Sequence, residues 1–283
     1  MIITSPARKG IIMASVTSGQ SFPPLSISTI CGPLYVATGG AGANAGILVG
    51  SDHILLIDAK MTGGGVKELS QVLKTRFNKP VSVIVLTHSD IDHVGGIDSW
   101  EPPFKLFAQK ETSREMIAQT ERVPVNHLPD ETYTDEMKFD FEGNPIELVH
   151  VGPAHTGGDS IVVLPALRAV FTGDIIFIGR EPLIHRQKGG SSIGLVRALD
   201  RLLEIDADWY ASGHSDPAKK ADVSELRNAI SAKRAHIRSL AAEGKTWEEV
   251  KAIIGEKDFD PPPGRPKFPS LAEVIFRETI EGK

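Results

Sequence analysis

Short apolar runs, separated by glycine and proline, make up most of the first half of the chain. Runs of this length predict β-strands at residues 34–36, 46–49, 54–57 and 81–86. Between the third and fourth runs the apolar residues recur with a helical period, which predicts a helix over residues 66–76. A second helix is expected over residues 111–120. Residues 121–145 are expected to be a long connection with an edge hairpin.

The second half of the chain repeats this alternation. Apolar runs predict strands at residues 146–151, 161–164, 169–171 and 209–211. An amphipathic helix is predicted over residues 193–203, with positions 193, 196, 199, 202 and 203 facing inward. From Asp222 onward the chain is predicted to be helical, apart from a loop at residues 261–264. Strands followed by helices twice over predict a layered α/β or α+β sandwich.

The length of 283 residues is near the upper end for one hydrophobic core, so we expect a single domain with an appendage. Residues 1–22 are expected to be a flexible leader, and residues 23–221 the sandwich. Residues 222–283 are expected to be a helical extension packed on the same domain. The apolar stripe of this extension suits core packing, a cover over a site, or a homodimer interface.

Composition narrows the classes of partner. The net charge of −5 and the lack of a basic stripe argue against nucleic acid. No run of eighteen apolar residues is present, so no membrane span is predicted, and we expect a cytoplasmic protein that acts on a small molecule. The single cysteine, Cys31, excludes an internal disulfide and a cysteine metal cluster. Any metal site must therefore use histidine and carboxylate ligands.

Four polar clusters, at residues 87–96, 152–159, 171–174 and 211–214, each follow a predicted strand. Side chains on such loops can converge at one edge of a sheet. Histidine and aspartate are zinc ligands, and four imidazoles with three carboxylates exceed what one tetrahedral ion needs. This number suits two adjacent ions. The candidate ligands are His88, Asp90, Asp92, His93, His155, Asp174 and His214.

The first cluster resembles the HxHxDH signature of the metallo-β-lactamase superfamily, in the variant form HxDxDH because Asp90 takes the place of the second histidine. The other clusters resemble that superfamily's third histidine, bridging aspartate and last histidine, in the same order. The glycine-rich segment at residues 39–59 is similar to the family's opening hairpin. The resemblance implies a four-layer αββα sandwich with two metal ions at one edge of its sheets.

The resemblance also implies a role for each candidate. His88, Asp90 and His155 would hold the first metal, Asp92, His93 and His214 the second, and Asp174 would bridge them. A metal-bridging hydroxide would then attack an ester, lactone, thioester or amide carbonyl. Asp92 would also deliver a proton to the leaving group. Arg180 and His185, which follow Asp174, are candidate substrate contacts.

Asp90 sets this chain apart from the usual signature. Two divalent ions, three carboxylates and a hydroxide sum to a neutral centre, one charge less positive than with histidine at position 90. A carboxylate is also a harder ligand, so iron or manganese competes with the zinc that we expect first. We therefore expect Asp90→His to raise zinc affinity at the first site. The alternative is that Asp90 is solvated and the first site is weak or empty.

Two other functions stay open. Flavodiiron proteins, a redox branch of the superfamily, carry a carboxylate at the same place, which makes a di-iron redox protein an alternative. No flavodoxin-like domain follows His214 in this sequence to deliver electrons. The third possibility is a non-catalytic binding module that a metal stabilises.

Overall fold

The computed structural model describes residues 22–119, 127–258, 260–261 and 267–282. The predicted leader lies outside the described residues except for Phe22. Residue 120 of the second predicted helix, and most of the predicted loop at residues 261–264, also lie outside them.

Two sheets form the centre of the described chain. The first has seven strands in chain order: β1 (Ser26–Cys31), β2 (Leu34–Thr38), β3 (Ala45–Val49), β4 (Ile54–Ile57), β5 (Val81–Val85), β6 (Lys105–Gln109) and β7 (Glu131–Tyr133). The second has five strands, also adjacent in chain order: β8 (Glu136–Phe141), β9 (Asn144–His150), β10 (Ser160–Leu164), β11 (Ala169–Phe171) and β12 (Trp209–Ala211). The helices are α1 (Gly63–Phe77), α2 (Ile91–Val94), α3 (Lys110–Ala118), α4 (Ser192–Glu204), α5 (Lys220–Ala242), α6 (Trp247–Ile254) and α7 (Leu271–Ile280).

Strand β4 shows how the layers arise. Successive side chains of a strand point to opposite faces of its sheet. Ile54 and Leu56 pack in the cluster that includes Leu69 of α1, whereas Leu55 and Ile57 pack in the cluster between the two sheets. Both faces of β4 are therefore buried. This explains why the strand is a continuous apolar run rather than an alternating one.

The second sheet is covered on its outer face by helices. Ile161 and Val163 of β10 share a buried cluster with Leu199 of α4, Ile230 of α5 and Val274 of α7. Helix, sheet, sheet and helix thus make four layers. The predicted αββα sandwich is confirmed.

Parallel strand pairs bring the polar clusters to one edge of this sandwich. Strands β4 and β5 are parallel, and Asp58 and His88 come after their carboxyl ends. Strands β11 and β12 are parallel as well, and they are followed by Asp174 and His214. Because parallel strands end at the same edge of a sheet, these four side chains lie on the same side of the molecule.

Several elements differ from the sequence-based prediction. Strands β1 and β6 were not predicted; β1 has few apolar residues, whereas β6 contains a short apolar run at residues 106–108 that the prediction overlooked. The predicted long connection contains strands β7 and β8, and β8 forms an edge hairpin with β9, as expected. None of the helices in the described part of the chain is both long enough and apolar enough to cross a bilayer.

Two predicted apolar faces were partly wrong. In α4, Leu199 and Leu202 are buried as predicted, whereas Ile193, Val196 and Leu203 are only half-buried. Leu195 and Ala198, which were not predicted to face inward, are buried as well. In α6, Ile253 belongs to the predicted apolar stripe but is 51% exposed.

A buried lysine supports the glycine-rich loop beside this edge. The Nζ of Lys60 donates hydrogen bonds to the carbonyl oxygens of Gly39, Gly42 and Ala43, and its side chain is fully buried. The backbone N–H of Ala43 in turn donates to the carbonyl of Asp92, at 3.1 Å. Burial lowers the pKa of Lys60 to about 8, so the ammonium remains protonated at neutral pH.

We expect Lys60→Met to lower the free energy of unfolding by about 2–4 kcal/mol, because it leaves one buried and two half-buried carbonyls without their donor. Lys67→Met is the matched control, since Lys67 is exposed on α1, and it should change stability by less than about 0.5 kcal/mol. Urea unfolding measures both values. Equal free energies of unfolding for the two variants would show that the hydrogen bonds from Lys60 to these carbonyls do not stabilise the fold.

Candidate metal centre

The first group of candidate ligands comes from the loop after β5 and the loop after β9. Asp90 Oδ2 lies 3.0 Å from His155 Nε2 and 3.8 Å from His88 Nε2. Two ligands of one tetrahedral ion lie about 3.4 Å apart when their bonds are about 2.1 Å long. The three side chains are therefore spaced to hold one cation between them.

The second group comes from the short helix α2 and the loop after β12. His214 Nε2 lies 3.0 Å from Asp92 Oδ2, and His93 Nε2 lies 3.9 Å from the same oxygen. His93 is fully buried, whereas about a quarter of the His214 and Asp92 side chains is exposed. This second group thus faces the open side of the centre.

Asp174 lies between the two groups. Its Oδ1 is 3.3 Å from His93 Nε2, and its Oδ2 is 3.2 Å from His214 Nε2 and 3.7 Å from His155 Nε2. The two oxygens of one carboxylate thus contact imidazoles of both groups. Such a position allows Asp174 to bind two adjacent cations at once.

The remaining ring nitrogens fix three of the imidazoles. His155 Nδ1 donates to the carbonyl of Leu183 at 2.7 Å, and His93 Nδ1 donates to Asp58 Oδ2 at 2.7 Å. Thr87 Oγ1 donates to Asp58 and can accept from His88 Nδ1, which lies 3.0 Å away. Each Nδ1 therefore carries a proton, which leaves each Nε2 facing the centre as the nitrogen that could bind a metal.

Three buried atoms at the centre have no hydrogen-bond partner: His88 Nε2, His93 Nε2 and Asp174 Oδ1. An unsatisfied buried polar atom costs about 1–3 kcal/mol, so such atoms rarely cluster without a reason. A cation between them would bind all three. The donor atoms therefore fit a metal site.

Electrostatics at the centre favour bound positive charge. Burial opposes charging of His93, but the carboxylates of Asp174 and Asp58 outweigh it and raise its pKa well above the usual value. Burial likewise opposes ionisation of Asp174, yet the charge of His93 and the hydrogen bond from His214 hold its pKa far below normal. Burial and the neighbouring His93 lower the pKa of His88, which keeps that imidazole neutral. A metal ion supplies such positive charge in place of protons.

Gly213 allows the close approach that this centre needs. A Cβ atom at this position would lie 2.3 Å from Asp174 Oδ1 and 2.5 Å from His93 Cε1. Any side chain here would push the bridging carboxylate out of place, so the glycine before His214 is required by the packing.

The two predicted substrate contacts lie at different distances from the centre. His185 Nε2 is 3.1 Å from Asp90 Oδ2, so His185 lies directly beside the first group. Arg180 contacts none of the ligand carboxylates through an ion pair; its guanidinium lies 4.6 Å from the centre of the Phe177 ring. Phe177 stacks in turn on His214, with ring centres 5.9 Å apart. The Phe177 ring therefore lies between Arg180 and His214 of the second group.

Four residues at the centre were missed by the sequence reasoning. Asp58 orients His93, and Lys188 Nζ lies 2.7 Å from Asp90 Oδ1. Phe177 packs on His214, and Phe268, from the segment before α7, packs on His185 with ring centres 4.6 Å apart. Asp58 could have been found from the sequence, because it directly follows a predicted strand. A predicted helix connects that strand to the strand before His88. Nothing near the other three residues in the sequence marks them.

Comparison with known proteins decides the family. A sequence model of the metallo-β-lactamase superfamily matches residues 38–214, which include all seven candidate ligands. The chain belongs to the metallo-β-lactamase superfamily. The resemblance drawn from the sequence is therefore confirmed. The superfamily membership also agrees with the clustered His and Asp side chains, three overlapping sets of which could hold a metal ion.

Relatives within the superfamily differ in activity. The chain is 26% identical over 215 residues to the 2,4-dinitroanisole O-demethylase subunit alpha of Nocardioides sp. (strain JS1661), covering 74% of this chain and 64% of the relative. It is 26% identical over 243 residues to the atrochrysone carboxyl ACP thioesterase AacuM of Aspergillus aculeatus, covering 85% and 67%. The chain thus spans about two thirds of the length of these relatives.

Solved structures show the same fold. A metallo-β-lactamase from Pontibacter korlensis superposes with a TM-score of 0.65 at 19% identity, covering 74% of this chain and 99% of that chain. At this identity, the likeness is evidence for the fold alone.

We expect Asp58→Asn to weaken zinc binding by the second group roughly tenfold to hundredfold. The substitution replaces one carboxylate oxygen, which accepts a hydrogen bond from His93 or Thr87, by an NH₂ group that can only donate. Competition with a chromophoric chelator measures this affinity. Asp98→Asn is the control, because Asp98 is exposed and lies close to His93 in the sequence. Wild-type zinc affinity in folded Asp58→Asn protein would contradict a role for Asp58 in orienting His93.

Proposed function

We propose that the protein is a binuclear metallo-hydrolase that cleaves an ester, lactone, thioester or amide of a small molecule. One observation carries the proposal: a buried carboxylate, Asp174, is shared by imidazoles of two ligand groups, and its Oδ1 has no hydrogen-bond partner. Structural zinc sites use four ligands around one ion, whereas this arrangement offers seven around two positions.

In this proposal His88, Asp90 and His155 would hold the first metal, and Asp92, His93 and His214 would hold the second. Asp174 would be shared between them. The bound ions, zinc in the first place and iron or manganese as alternatives, would acidify a water molecule and polarise the substrate carbonyl. The protein supplies the fixed imidazoles, the shared carboxylate and an opening beside His214.

Asp92 is proposed to handle the proton of the leaving group. Burial opposes its ionisation, but the neighbouring charges of His93 and His214 lower its pKa to about 2. At neutral pH it is therefore a carboxylate, which must accept a proton before it can donate one. Its side chain is 29% exposed, so this oxygen can face a bound substrate.

Apolar residues beside the centre suit the body of a substrate. Ile178 and Phe268 are each 40% exposed, and Phe268 packs on His185. Arg180 lies over Phe177, which stacks on His214, and its charge can bind a polar or anionic group of the substrate. The thioesterase among the relatives supports a thioester as one candidate bond. Small-molecule specificity is therefore proposed to lie with these residues.

The di-iron redox alternative is favoured by one observation, the carboxylate at position 90. Metal identity separates the two functions. Zinc without visible absorbance favours hydrolysis, whereas iron with an oxidisable di-iron spectrum favours redox chemistry.

The proposal is tested by a hydrolysis screen on protein loaded with zinc, iron or manganese. The probes are p-nitrophenyl acetate, a homoserine lactone, an acyl thioester and a β-lactam, each with and without a chelator. We expect chelator-sensitive turnover of at least one probe. Protein that holds two metals per chain and turns over none of the four classes would contradict hydrolysis of these bonds. Turnover that resists complete metal removal would contradict the metal mechanism.

Asp92→Asn should lower kcat on the active probe by about 10²–10⁴-fold, because it removes the proposed proton acceptor. Metal content must be measured on the same sample, since Asp92 is also a proposed ligand. His53→Gln is the control; His53 pairs with Glu142 away from the centre. Full activity in metal-loaded Asp92→Asn protein would rule out the proton role.

A further inference from the structure

We propose that Asp90 and Lys188 act as a pair that replaces the neutral histidine usually found at this position of the first metal group. This inference rests on the proposed function, because it concerns the charge and geometry of that metal centre. It assigns a positioning role to Lys188, a residue that the superfamily signature does not include.

The two oxygens of Asp90 have separate partners. Lys188 Nζ lies 2.7 Å from Oδ1, whereas His155 Nε2 lies 3.0 Å from Oδ2. His185 Nε2 is also near Oδ2, at 3.1 Å. Because the ammonium occupies Oδ1, only Oδ2 is directed towards the first group. Asp90 can therefore present a single oxygen, as an imidazole presents a single nitrogen.

Lys188 is held in place by the loop that carries His155. Its carbonyl accepts from the N–H of Gly157 at 2.6 Å, and the N–H of His185 donates to the carbonyl of His155 at 2.8 Å. The carbonyl of Leu183 accepts from His155 Nδ1. The segment at residues 183–188 thus orients one ligand of the first group and carries the cation that holds another.

Further contacts fix the ammonium at its other side. Lys188 Nζ donates to Ser89 Oγ at 3.1 Å, and Ser89 Oγ donates to the carboxylate of Glu115 on α3. The Lys188 and Asp90 side chains are only 22% and 12% exposed. The attraction between two charges shielded in this way is screened less than at the surface, and removing one partner leaves the other charge uncompensated.

Lys188 also changes the charge balance at the centre. Two divalent ions, three carboxylates and a hydroxide sum to zero, and the ammonium beside Asp90 adds one positive charge. The total then equals that of a centre with histidine at position 90 and no lysine. The Asp–Lys pair is therefore equivalent in charge to the imidazole that it replaces.

This equivalence reverses the expectation for Asp90→His drawn from the sequence alone. An imidazole at position 90 would stand beside an ammonium that has lost its carboxylate. If Nδ1 accepted a hydrogen bond from Lys188, Nε2 would carry the proton and could not bind a metal. Histidine therefore fits this position only when Lys188 is removed as well.

The test compares Asp90→His with the double variant Asp90→His/Lys188→Met. We expect Asp90→His to weaken binding of the second equivalent of zinc at least tenfold. Adding Lys188→Met should restore the zinc affinity to within about threefold of wild type. The effects of the two substitutions on affinity are therefore expected not to add, because the two residues are in contact. Chelator competition measures affinity, and the visible spectrum of cobalt-substituted protein reports the ligand set. Neither readout depends on activity.

Asp90→His/Arg186→Met is the matched control. Arg186 lies on the same turn as Lys188, but its guanidinium pairs with Glu281 instead of Asp90. This control should remain as weak as Asp90→His alone. If Asp90→His fails to fold, the double variant should still fold and bind zinc like wild type, and its failure to do so would overturn the pairing.

Three results overturn the inference: zinc binding by Asp90→His that equals or exceeds wild type, no restoration by Lys188→Met, or equal restoration by Arg186→Met. If the wild-type protein binds two zinc ions and hydrolyses a probe, but the variants give one of these results, only the Asp90–Lys188 pairing is refuted. Wild-type protein that binds no metal refutes the proposed function as well.

Discussion

The geometry of the centre depends on where one carboxylate, that of Asp174, lies. Its oxygens contact the Nε2 atoms of His93, His155 and His214, which come from three separate parts of the chain. Two parallel strand pairs, one in each sheet, bring the segments that carry His93 and His214 to the same edge, and His155 follows β9 of the second sheet. A carboxylate buried among imidazoles is costly to desolvate, so this arrangement is favourable only when positive charge is bound there.

Residues outside the ligand set maintain this arrangement. Asp58 accepts from both Thr87 and His93, and so connects the end of β5 to α2. Lys60, two residues later, holds the glycine-rich loop whose backbone binds the carbonyl of Asp92. On the other side, Leu183 orients His155. Asp58 thus supports both ligand groups, through Thr87 and His88 on one side and His93 on the other, and Leu183 adds a further support to the first group.

Much of the fold could be predicted because its signals are local. The strand β4 is recognisable from four consecutive apolar residues, since both of its faces are buried. The ligands were identified because His and Asp follow strand after strand. Strand β1 was not predicted because pairing with β2, rather than its own apolar content, places it in the sheet, whereas β6 has a short apolar run at residues 106–108 that the prediction overlooked.

Contacts between distant positions could not be predicted. Lys188 is 98 residues from Asp90, and nothing near Lys188 in the sequence marks it as the partner of a metal ligand. Phe268 reaches His185 only because α7 packs on α4 and α5. The sequence therefore predicted the chemical types of the ligands. The charge balance around Asp90, and the residues beside the opening, depend on tertiary packing.

The central claim is that two cations lie on either side of Asp174. Anomalous diffraction from crystals grown with zinc, recorded on both sides of the zinc absorption edge, tests it most directly. The account predicts two peaks, one among His88, Asp90 and His155 and the other among Asp92, His93 and His214, with Asp174 between them. A single peak that does not contact Asp174, or no peak in zinc-saturated crystals, would contradict it.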